Sequence, residues 1–115
     1  MHETALMESM LSIAKEQLYA FNISKVNQVT LKVGRLANVL PDALSFAFEA
    51  VSAGTIFAGA ELKQEFMPFI ARCQSCAQTY ESMDLPPVCP HCNAHGVDII
   101  DGTEVYLDSI DFDEA

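Results

Sequence analysis

Two short repeats constrain this chain more than any other feature: Cys73-Gln74-Ser75-Cys76 and Cys89-Pro90-His91-Cys92, with twelve residues between them. Two residues between cysteines let a tight turn aim both thiolates at one ion. Two such turns supply a tetrahedral S₄ set, which suits zinc. A bound ion lowers the thiol pKa and keeps the sulfurs deprotonated. With all four positions filled by protein, no place is left for a catalytic water, so the zinc reads as structural. Tetrahedral S₄ also holds iron, and that alternative stands at this stage. A lone Cys-x-x-Cys can be a thiol-redox motif, but two complementary pairs favour a shared ion. The segment 69–100 is too short and polar to bury a useful core alone, so a metal would supply its folding energy.

The rest of the 115 residues read as one small α+β unit around that segment. Residues 4–21 carry Leu6, Met7, Met10, Leu11, Ile13, Ala14 and Leu18 on one broad helical face, with Gln17 as the exception in that arc. Val29, Leu31 and Val33 alternate with polar neighbours, which predicts a strand ending at Gly34-Arg35. Pro41 suits the first turn of a second helix, with Leu44, Phe48 and Val51 as its stripe and Gly54 after its end. Leu62 and Phe66 suggest a second strand with Glu61, Lys63 and Glu65 facing water, and 104–110 a last one before an acidic tail. The expected frame is a small sheet with helices on one face, built from 1–68 and 101–115, with 69–100 inserted between strands as a zinc ribbon.

Charge narrows the function classes. Sixteen acidic residues against six basic ones give a net charge of −10. The basic residues are scattered, so the counterion displacement that drives nucleic-acid binding has no patch to work from. The acidity suits cations or a basic protein partner. No targeting sequence or run of ~18 apolar residues is visible, so no membrane insertion is expected and the cytoplasm is the expected compartment. In a reducing compartment, paired cysteines read as ligands rather than disulfides.

A second candidate site stands at the start of the chain, Met1-His2-Glu3. A bulky second residue hinders removal of Met1, which leaves its α-amine free. That amine, the His2 backbone nitrogen and the His2 imidazole are close enough to chelate one ion, with Glu3 assisting. A nitrogen-rich, tetragonal set suits Ni²⁺ or Cu²⁺. The residues permit this without demanding it: a histidine near a terminus is usually just exposed, and Glu3 also suits a helix N-terminus.

The chain resembles the HypA/HybF family of hydrogenase nickel-maturation proteins. The matching pieces run in family order: Met1-His2-Glu3, Val33-Gly34-Arg35-Leu36, Phe46-Ala47-Phe48-Glu49, Gly54-Thr55, Gly59-Ala60-Glu61-Leu62, the two Cys-x-x-Cys units and Gly102-Thr103-Glu104-Val105. Asn93-Ala94 departs from the glycine and serine that commonly follow the last cysteine in the family. The resemblance implies a nickel-binding domain with a zinc ribbon, with His2 as principal nickel ligand and Glu3 and the Met1 amine or nearby backbone nitrogens assisting. It implies nickel delivery with a GTPase partner towards a [NiFe]-hydrogenase large-subunit precursor. His95, three residues after the last cysteine, is similar to a histidine that some members present from the ribbon. If the ribbon folds back, His95 offers nickel an imidazole; His91 reads as an exposed loop residue.

The reading is therefore a non-enzymatic nickel carrier with a structural zinc site, with homodimerisation left open. No nucleophile motif, phosphate-cradling loop or paired acid/base signature is visible. Two rivals remain: a zinc-ribbon interaction module and a rubredoxin-like redox protein holding iron.

Overall fold

The computed structural model describes residues 2–115 apart from the His2 side chain. The chain divides into two compact units, one of Met1–Lys32, Val39–Glu65 and Tyr106–Ala115, the other of Val33–Asn38 and Phe66–Val105. The architecture is α+β, with two helices and two small sheets.

The first unit opens with helix α1, His2–Leu18. Met7, Met10, Leu11, Ala14 and Leu18 are buried along its inner face, and α1 packs against helix α2, Pro41–Ser52. Pro41 begins α2, where its missing N–H costs nothing, and Leu44, Ala47 and Phe48 are buried from it. Ile13 is 53% exposed, so it leaves the packed face the helical pattern assigned to it. The helix also stops earlier than residue 21. Phe21 N–H donates to the Leu18 carbonyl at 3.0 Å, and this three-residue step tightens the end of the helix.

Strand β1 runs Ile23–Gly34, starting six residues before the alternating signal at Val29. Val26 is buried as well as Val29, Leu31 and Val33. The step of three from Val26 to Val29 breaks the period-two pattern, which hides the strand's start. Beside β1 lie strand β2, Glu61–Met67, and strand β6, Val105–Glu114, in the order β2-β1-β6. Glu65 does not simply face water: it accepts from Lys32 Nζ at 2.5 Å. Phe66, expected inward, is exposed.

The acidic C-terminal segment is strand rather than a solvated tail. Ala115 N–H donates to the Asn22 carbonyl at 2.8 Å, and Asn27 Nδ2 donates to both Asp111 and Asp113. Phe112 places its ring 5.4 Å from that of Phe21. Phe57, in the turns after α2, is fully buried and was not singled out by pattern. Thr55 anchors that turn: its hydroxyl donates to the Ser52 carbonyl and accepts from the Phe57 N–H.

The second unit holds strands β3 (Phe69–Cys73), β4 (Thr79–Ser82) and β5 (Val97–Asp101) in an antiparallel sheet ordered β4-β3-β5. Phe69, Ala71, Cys73, Tyr80 and Cys89 form its buried cluster, with Leu36, Cys76, Ala94 and Val97 packed against it. Residues 34–36 bond to the two segments flanking this sheet: Gly34 N–H to Glu104, Arg35 N–H to Met67 and Leu36 N–H to Gly102. A side chain on Gly34 would run into the Gly102 carbonyl, and Gly102 sits at φ +106° against Phe69. Both are backbone approaches that no rotamer can relieve.

Gly34→Ala is therefore expected to destabilise the protein by about 1–3 kcal/mol, the usual range for overpacking. Urea denaturation followed by tyrosine fluorescence reads this. An unchanged midpoint would show that the approach of Gly34 to Gly102 is not fixed.

Candidate metal centre

The two cysteine knuckles fold alike. In the first, Cys73 N–H donates to the Gln78 carbonyl at 2.9 Å and Ala77 N–H donates back to the Cys73 carbonyl at 3.0 Å. In the second, Cys89 N–H donates to Ala94 at 2.9 Å and Asn93 N–H to Cys89 at 2.8 Å. Each turn passes through a left-handed residue just after its second cysteine, Ala77 at φ 64° and Asn93 at φ 63°. Asparagine tolerates that conformation, so Asn93 replaces the expected glycine without altering the turn's shape. Cys73 ends β3, and the pairing of β3 with β4 and β5 fixes its position.

The four Sγ atoms lie within 4.8 Å of one another. Cys73 is 3.5 Å from Cys92, and Cys76 is 3.7 Å from Cys89. A tetrahedral ion with bonds of about 2.3 Å requires sulfurs roughly 3.8 Å apart, so the residues fit zinc. Cys73 and Cys89 are buried, Cys76 is half-buried and Cys92 is exposed. One wall of the centre is thus protein core and the other faces solvent.

The electrostatics also call for a cation. Cys73 receives the Cys76 and Ser75 backbone N–H groups at 3.5 and 3.4 Å, and these hold its thiol down at about 6. The Ala94 N–H favours the Cys92 thiolate, but the competing Cys73 sulfur, local desolvation and the Cys89 and Cys76 sulfurs outweigh it and push Cys92 up to about 12. Cys76 has the help of the Gln78 N–H, yet burial and its bonds to Cys73 and Cys89 leave it above its ordinary value. One thiolate therefore suppresses the next unless positive charge sits among them.

Sequence reasoning did not find the groups that brace this centre. Gln74, between the first two cysteines, donates its backbone N–H to Gly96 and its side-chain amide to Asp98 at 3.0 Å. No spacing rule picks out such a pair. Tyr80 shares the buried cluster and stacks edge-on to Phe69 at 6.1 Å.

Of the candidate nickel residues, Met1 and the His2 side chain lie outside the described residues. The His2 backbone opens α1, and Glu3 is buried in the helix's first turn. His91 and His95 are exposed in the second unit. Among the described residues, the only grouping of metal-ligating side chains is the four cysteines.

Comparison with known proteins gives consistent findings. A family model described as "Hydrogenase/urease nickel incorporation, metallochaperone, hypA" matches residues 1–112. A hydrogenase maturation factor HypA from Desulfitobacterium hafniense is 40% identical over 114 residues, covering 99% of this chain and 100% of that protein. One from Dechloromonas aromatica is 36% identical over 113 residues, covering 98% and 100%. The solution structure of the Ni metallochaperone HypA from Helicobacter pylori superposes with a TM-score of 0.69 at 19% identity, covering 98% of both chains. A second HypA solution structure gives 0.70 at 22%, covering 97% of this chain and 96% of that one. These two likenesses bear on the fold.

Cys73→Ser or Cys92→Ser is expected to lose the bound metal and the β4-β3-β5 sheet, while the helical circular-dichroism signal of α1 and α2 largely survives. Elemental analysis that still finds one tightly bound ion in both variants would overturn the Cys₄ assignment. Because Cys76 and Cys92 stay protonated without metal at neutral pH, binding must release their protons. Apparent affinity should then fall as pH falls. Calorimetry of zinc binding in buffers of different ionisation enthalpy reads that release.

Proposed function

Because the chain belongs to the HypA family of hydrogenase/urease nickel-incorporation metallochaperones, we propose that it carries nickel for insertion into a [NiFe]-hydrogenase large-subunit precursor. The single observation that carries this is a family match running from the first residue to 112, which takes in both candidate metal sites. Nickel is cargo in this reading, and the protein performs no chemistry on it. Its ligands are the Met1 amine, the His2 backbone nitrogen and the His2 imidazole, with Glu3 assisting. Nitrogen-rich tetragonal sets suit Ni²⁺. The burial of Glu3 in the first turn of α1 gives its carboxylate a second use, offsetting the helix N-terminus.

Zinc at Cys73, Cys76, Cys89 and Cys92 is structural in this proposal, and the residues 69–100 around it act as the ribbon of a nickel domain made of 1–68 and 101–115. The S₄ spacing supports a four-coordinate ion with no open position, which fits a fixed role rather than a transported one. Iron in the same sulfurs is distinguished by its colour and S₄-iron spectrum. The proposed partners are a nickel-maturation GTPase and the hydrogenase precursor, with a homodimer as a further association. No described helix is long and apolar enough to cross a membrane, and the cytoplasm is the proposed compartment.

His95 is proposed as an added nickel ligand from the ribbon, so that ribbon movement adds or removes an imidazole. Nickel titration of tag-free protein beginning at Met1 tests the whole set. His2→Ala should nearly abolish binding, and His95→Ala should weaken it and change the absorption spectrum while zinc stays bound. His91→Ala should do neither. Lowering pH should weaken nickel binding, because a protonated ring cannot ligate. A His95→Ala protein with unchanged spectrum and affinity would remove the bridging role and leave His2 in place. Undiminished binding in His2→Ala would remove the nickel site itself.

A further inference from the structure

Strand β6 ends the order β2-β1-β6, so one row of its backbone N–H and C=O groups has no strand partner among the described residues. Edge strands are usually blunted by charged side chains, proline, bulges or shortness. This one has ten residues and no proline, and all its charges are acidic, which turns away an acidic strand but not a basic one. Its inner edge is taken by β1, through Ala115 to Asn22 and through Asn27 to Asp111 and Asp113.

Alongside β6 lies a groove of about 390 Å³, lined by Ile13, Gln17 and Phe21 from the α1 side and Leu107, Asp108 and Ile110 from the strand. Ile13 and Phe21 are 53% and 50% exposed, although the helical pattern would have packed Ile13. Apolar wall and open edge therefore occur together. The acids add a third property. Asp108, Asp111, Asp113 and Glu114 are all exposed along β6, and no basic side chain lines the groove.

We propose that β6 and this groove receive an extended segment of a protein partner, added as a strand, with apolar side chains toward Ile13 and Phe21 and lysine or arginine toward the strand's acids. Strand addition draws affinity from main-chain hydrogen bonds and specificity from alternate side chains. Charge selects the occupant. A second copy pairing through β6 would set two acidic rows against each other, and like charges directly opposite destabilise a pair. A basic segment is complementary to the same row, and to the net charge of −10. The inference deepens the proposed delivery role and rests on it, because the segment belongs to a protein that takes part in nickel transfer.

The test uses the full chain with its native N-terminus and the purified nickel-maturation GTPase as probe, followed by amide hydrogen exchange. In the complex, amides of residues 105–114 should exchange about tenfold more slowly or better. Ile13→Lys and Asp108→Lys should each weaken GTPase binding about tenfold, with circular dichroism and zinc content unchanged. Raising NaCl from roughly 50 to 500 mM should weaken the wild-type complex in the same way. If the complex forms with β6 unprotected and both variants bind as wild type, the inference falls and the partner reading stands. If no complex forms, the partner reading falls and takes the inference with it. If the chain alone is a dimer by light scattering with β6 protected, the occupant is a second copy and the inference is overturned.

Discussion

Four sulfurs held within 4.8 Å of one another cannot all be thiolates unless a cation stands among them. That repulsion organises the second unit. Its three strands are short, and its buried cluster is five residues, two of them cysteines. So small a core leaves little to set against chain entropy. The knuckle hydrogen bonds shape the two turns, but the turns have a reason to approach each other only when an ion cancels the charge they bring. Metal binding and folding are then one process, and protons compete with both.

The knuckles were legible because ligand chemistry leaves a spacing signature that survives without alignment. The helices were legible for a related reason: Met7, Met10, Leu11, Ala14 and Leu18 repeat at helical intervals and are buried. What pattern could not show was set by long-range contact. The Val26 to Val29 step obscured the start of β1, and only the partner strands reveal it. The residues 111–114 look like a solvated acidic end, yet Asn27 and Phe21, far away in sequence, make them strand. Phe57 is core because Thr55 folds its turn inward, and no periodicity marks a lone aromatic in a loop.

The family resemblance supplied positions, and the structure gives several of them a physical cause. Gly34 and Gly102, from separate motifs, meet backbone to backbone. Arg35 donates from Nε to the Met83 carbonyl at 2.9 Å, and Leu36 packs on the cluster that contains Cys73 and Cys89. The motif after the first strand is thus tied to the sheet that carries the cysteines, although nothing in its composition speaks of metal. The Gly54-Thr55 pair, in turn, ends one helix and seats Phe57.

The two proposed metal roles follow from how differently their donor atoms are supported. The cysteines are tied to strand register, to paired backbone bonds in each knuckle and to the Gln74 to Asp98 brace, so releasing the ion would cost the folded sheet as well as the metal bonds. Such a site favours retention. The proposed nickel donors instead come from consecutive groups at the chain's start, two of them main-chain nitrogens. A ligand set drawn from a helix's first residues can open without breaking the core, because Met7, Met10 and Leu11 pack further along α1. Glu3 is where the two demands meet. Its burial links the start of the chain to the packed helix, so nickel held there would be sensitive to the seating of α1.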